Sequence, residues 1–174
     1  MKQEIKDRQE ARFRNTGNMR QRYKAWAENL ASLVALMVVI GEEVAGEQFL
    51  RKVEEAIFEG SKLDVQRHKE AAGIAETETA PDCLAIGRLL DIIDDSLANF
   101  WDGYIEKSPK VFEKRVVTCP VAEAFSMAPV VCERVIASGL KGYVKALNPK
   151  AEVRFTELMP KGDDACRYRI EIPD

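Results

Sequence analysis

The chain has 174 residues, a net charge of −3, 46% hydrophobic and 32% charged residues, values that exclude a disordered or fibrous chain and fit one domain spanning 1–174. The acidic balance also argues against a nucleic-acid binder, which usually carries a basic patch. Four cysteines with no CxxC pair argue for free thiols and against a disulfide framework.

Residues 1 to 24 hold eight Lys or Arg against three acids, and 3–15 read as a short charged helix closed by Asn15-Thr16-Gly17-Asn18. Such a basic helix is either a solvated face or a surface for an acidic partner. From Met19 the pattern is helical: Trp26, Leu30, Leu33, Met37, Ile40 and Val44 are spaced 4, 3, 4, 3, 4, which puts them on one stripe. The stripe reads first as a core-facing surface, with a homodimer seam through the Trp26 to Val44 helix as the alternative. Its longest apolar run, Leu30 to Ile40, stops at Gly41-Glu42-Glu43, short of a membrane span and unlike a secretory signal. The expectation is therefore a cytoplasmic protein with no membrane or nucleic-acid partner.

After Gly46 a second helix carries Phe49, Leu50, Val53, Ile57 and Phe58 on one side and is expected to stop near Ala72-Gly73. A third begins at Pro81 or Asp82, with Ile86, Leu89, Leu90, Ile93 and Leu97 inward and an acidic patch of Asp91, Asp94 and Asp95. These helices make an N-terminal helical half, 1–98.

The half 99–174 changes character. Trp101 to Glu106 and Lys110 to Thr118 read as a hairpin around Lys107-Ser108-Pro109. Pro120 to Met127 reads as a short helix. A longer one follows from Pro129 to Leu147, with Val130, Val131, Val135, Ile136, Leu140 and Tyr143 inward, and Asn148-Pro149 stops it. Cys166, Tyr168, Ile170 and Ile172 alternate with Arg167, Arg169 and Glu171, a strand buried on one face that pairs with Val153 and Phe155. The fold class is α+β: a helical half packed on a small antiparallel sheet of two hairpins flanking one helix.

Chemistry concentrates at Cys119. The β-branched run Val116-Val117-Thr118 ends there, and Pro120 suits a first helical position, so Cys119 is expected at an N-cap. Unpaired amides and the positive end of the dipole would then favour its thiolate. If the last strand lies beside the one ending at Cys119, Cys132 and Cys166 converge on it. The other readings are buried inert thiols, or a zinc site built from Cys119, Cys132 and Cys166, whose spacing matches no compact zinc signature. The only histidine, His68, stands between Arg67 and Lys69 and reads as a surface residue. Glu123 and Asp164 are candidate proton carriers, and Arg167 with Arg169 could hold a substrate carboxylate.

Cys119-Pro120, Pro129 with Cys132, Leu147-Asn148-Pro149 and Gly162-Asp163-Asp164-Ala165-Cys166-Arg167-Tyr168 resemble the L-2-amino-thiazoline-4-carboxylic acid hydrolase-like family over about the last 60 residues. Where that family often pairs cysteines before the final strand, this chain has Ala165-Cys166. The resemblance implies hydrolytic opening of a cyclic, cysteine-derived amidine to a carbamoyl-cysteine. With it, Cys119, Cys132, Cys166, Glu123 and Asp164 are expected to be catalytic, Arg167 and Arg169 substrate-binding, with no resident metal. The same C-terminal layout also looks like the 4-vinyl reductase small-ligand domain, which implies a non-catalytic sensor for a hydrophobic ligand.

Overall fold

Two short polar signals divide the helical half. Gly46 adopts φ +60°, a left-handed turn open to glycine, and its N–H donates to the Glu42 carbonyl at 2.7 Å. Asp82 caps the third helix by accepting the Ala85 N–H at 2.8 Å. In this computed structural model, which describes residues 19–69, 74–75, 78–96 and 100–173, the helices are α1 (Met19–Ala45), α2 (Glu47–Lys69) and α3 (Cys83–Ser96). The charged helix expected over 3–15, the stop expected at Ala72-Gly73, and Leu97 lie outside the described residues.

The second half follows as β1 (Phe100–Lys107), β2 (Val111–Thr118), a single turn α4 (Ala122–Phe125), α5 (Ala137–Leu147), β3 (Glu152–Glu157) and β4 (Cys166–Glu171). Ser108 closes the first hairpin, its N–H donating to the Val111 carbonyl at 2.8 Å. The four strands form one antiparallel sheet in the order β1-β2-β4-β3, so the two hairpins join along β2 and β4. The class is α+β with helices on an antiparallel sheet, as the alternation in β4 and the helical periodicities indicate.

Two apolar clusters hold the fold. One lies between the sheet and α3 and α5, with Phe112, Tyr168 and Ile170 against Ile86, Leu89 and Leu147. Gly87 lets α3 approach β2, since a Cβ there would collide with the Phe112 ring, and Gly142 lets α5 cross the α2 backbone at Phe58. The other cluster joins Ala31, Ala35 and Val38 of α1 to Leu50, Phe125 and Val131.

Two expectations turn around. First, α5 is preceded by a wide π turn, Val131–Ile136. The turn holds an extra residue and so rotates the face that follows. Ile136 is thereby exposed, while Val144 and Leu147 are fully buried. Second, the expected core stripe of α1 faces outward: Trp26, Leu30, Leu33, Met37, Ile40 and Val44 are all exposed. The small residues Ala27, Ala31 and Ala35 face the chain instead. As one continuous helix, Arg22–Ala45 is also long and apolar enough to cross a membrane by length and composition, which corrects the reading from the Leu30 to Ile40 run alone; 22% of its most apolar stretch is buried.

Candidate functional site

The β2–β4 register sets Val116 opposite Cys166, so Cys166 enters its strand beside the end of β2, three residues before Cys119. Cys132 sits in the π turn. Cys119, Cys132 and Cys166 come within electrostatic reach: Cys166 and Cys119 oppose ionisation of Cys132, and Cys119 opposes that of Cys166. All three are partly buried. The Met159 N–H donates to the Cys166 sulfur at 3.4 Å, and the Asp163 carboxylate accepts the Leu158 N–H at 2.7 Å, which shapes the loop before β4.

The helix start is displaced from the expected position. Val121, not Cys119, is the N-cap of α4, and α4 is one turn long, so its dipole is small. The Cys119 sulfur nevertheless receives the backbone N–H groups of Val121 and Ala122. Burial outweighs them and raises this thiol above its ordinary value. Burial, reinforced by the neighbouring sulfurs, pushes Cys132 up to about 12, and burial pushes Cys166 up to about 11. At all three sulfurs burial favours the neutral thiol, against the expectation of a thiolate held by the helix end. Among the described residues no group of three or more His, Cys, Asp or Glu side chains is placed to hold a metal ion.

The other expected site residues are scattered. Glu123 and Asp164 are exposed. Arg167 donates to Glu113 and Glu157, and Arg169 to Glu106, Glu113 and Glu171, so both guanidinium groups are committed within the chain. Burial would raise the Glu113 carboxyl, but hydrogen bonds from Arg169 and Arg167 hold it below its usual range. His68 lies 3.5 Å from Asp64, which also accepts the Tyr143 hydroxyl at 2.6 Å.

One charged group was not anticipated. Lys114 is fully buried on the core face of β2, with its ammonium 2.7 Å from both Asp91 and Asp94 on α3. Tyr104 donates to Asp91 at 2.6 Å and Tyr168 to Asp94 at 3.4 Å. The signal was present: alternation places Lys114 between Phe112 and Val116 on the buried face, and the aspartates are three residues apart on one helix side.

Two surface grooves flank the junction of α5 and the edge strand β3. One, of about 460 Å³, has an apolar floor of Phe58, Pro149, Ala151 and Val153 and a rim of Lys62, Lys141 and Lys145. The second, of about 580 Å³, runs from Glu133 and Ala137 to Phe155, Leu158 and Asp163, and shares Lys141 and Val153 with the first. Ion pairs hold Lys62 to Glu59, Lys145 to Glu152 and Lys161 to Glu133. Among the described residues Lys141 is in no salt bridge; its charge helps to lower the Glu54 carboxyl.

No family model matches the chain, and no curated protein matches it. Among the solved structures that share its fold are two with bound ligands. One is trafficking protein particle complex subunit 3 from Naegleria fowleri, covalently bound to palmitic acid, at 14% identity and a TM-score of 0.55, covering 88% of this chain and 96% of that one. The other is the phenol-responsive sensory domain of the transcription activator PoxR with phenol, at 14% identity and a TM-score of 0.51, covering 82% of this chain and 74% of that one. At that identity the likeness establishes a common fold, an antiparallel sheet backed by helices, and leaves function to the side chains described above.

Proposed function

We propose that this chain is a non-catalytic small-molecule-binding or sensor module, and that its ligand is a small apolar molecule carrying an anionic or phenolic end. The observation that carries the reading is the paired groove at α5 and β3: an apolar floor large enough for a small organic molecule, with Lys141 at the point where the two branches meet. The apolar body would lie on Phe58, Pro149 and Val153, and Lys141 would receive the polar end. That a phenol-bound and a palmitate-bound protein share the fold supports a ligand of this class. A hydrolase mechanism has less to stand on, because burial disfavours all three thiolates and the expected proton carriers Glu123 and Asp164 are exposed.

The test is thermal unfolding of the full chain with phenols and with medium-chain carboxylates. A ligand at 100 times its Kd stabilises by about 2.7 kcal/mol and raises the Tm of a chain this size by roughly 5 to 10 °C. Val153→Trp, which fills both branches, should abolish the rise, and Lys141→Glu should abolish it for carboxylates more than for phenols. No rise with any member of either class overturns the reading. Turnover of a thiazoline carboxylate, lost in Cys119→Ala, would replace it with the hydrolase account, for which the convergence of three sulfurs and the two amides on Cys119 are the favouring observations.

A further inference from the structure

From the outward face of α1 we infer that the chain forms a twofold homodimer, with two α1 helices packed antiparallel along Trp26 to Val44. The stripe Trp26, Leu30, Leu33, Met37, Ile40 and Val44 carries the 4, 3, 4, 3, 4 spacing of a helix-pair seam, and its members are 45 to 81% exposed. Leu36 widens it, at 55%. Together these side chains present roughly 700 Å² of apolar surface, more than the few hundred Å² usual on a monomer and close to the ~800 Å² per partner of a standard interface.

A second copy fits this face better than any other occupant because the face is self-complementary. The stripe has its midpoint at residue 35, so an antiparallel partner sets Trp26 against Val44, Leu30 against Ile40 and Leu33 against Met37, large against large with no unpaired end. A lipid surface is the poorer match: the inner face of α1 is already packed on Leu50 and Phe125. The grooves and their ligand play no part in the inference.

Sedimentation equilibrium of the full chain from about 1 to 200 μM is the test. The expected result is twice the 19.6 kDa chain mass. Leu33→Arg, at an exposed position that leaves the fold intact by circular dichroism, should weaken association about a hundredfold. A monomer throughout the range overturns the inference, as does a dimer indifferent to Leu33→Arg. A monomer that binds phosphatidylcholine vesicles through this face gives it to lipid instead.

Discussion

The two faces of the sheet carry similar charge clusters under different conditions. On the core face Lys114, fully buried, is held by Asp91 and Asp94 and backed by two tyrosine hydroxyls. On the opposite face Arg167 and Arg169 close on Glu113, with Glu106, Glu157 and Glu171 at the margin. The chemistry of the pairs is nearly the same, while access to water grades from none at Lys114, through 7% at the Glu113 side chain, to 44% at Glu106. The comparison teaches that depth, more than the number of ion pairs, sets what each one contributes. A buried charge that loses its partner has no water to replace it, whereas an exposed one does.

Lys114→Ala is the change with the largest expected effect. It leaves two carboxylates under the sheet without their cation, and the loss should be about 3 to 5 kcal/mol, read as a lower denaturation midpoint in urea. The sharper experiment removes the charges together. Lys114→Met with Asp91→Asn and Asp94→Asn should recover most of the loss, because the cost lies in the unpaired charge and the amides can still accept from Tyr104 and Tyr168. A triple variant no more stable than Lys114→Ala would show that packing of the lysine stem, not charge pairing, holds this region.

Glu113→Gln comes next, at about 1 to 2 kcal/mol, since it weakens hydrogen bonds from two guanidinium groups that are themselves partly wet. The same residue predicts a pH dependence. Its carboxyl ionises below the ordinary value of 4.5 in the folded chain, so the unfolded chain takes up a proton first as the pH falls. The stability it contributes is complete above about pH 4.5 and is lost below that, as the pH falls through the folded value. Urea midpoints at pH 6 and pH 3.5 should therefore differ less in Glu113→Gln than in the parent chain.

These faces also show what a sequence makes legible. Alternation in β4 gave its buried and wet sides, and Gly46, Asp82 and Asn148-Pro149 gave the helix ends, because turn and cap chemistry is local. The position of Lys114 required trusting alternation over the rule that charges lie outside. Asp91 and Asp94 read only as an acidic patch while their partner, twenty residues on, was unplaced. For α1, periodicity found the large-residue stripe but not which side the chain would use. Alanines allow closer approach, so the small-residue side took the intramolecular contact. At Cys119 the local reading found the amides but not the burial. Its neighbours Cys132 and Cys166 arrive from the π turn and the last strand, far along the chain.

The smallest effect belongs to the wettest member of the same network. Glu106 meets Arg169 at 2.7 Å, yet Arg169 also holds Glu113 and Glu171, so Glu106→Gln neutralises one of three carboxylates at a site water can reach. Its expected cost is within about 0.5 kcal/mol and should shrink further in 0.5 M salt, where screening acts on exposed charges and much less on buried ones. Repeating the urea series at both ionic strengths for Glu106→Gln and Lys114→Ala tests the gradient directly. If salt diminished the Lys114 effect as much as the Glu106 effect, the buried cluster would be open to solvent, and the difference between the two faces would lie in geometry instead of depth.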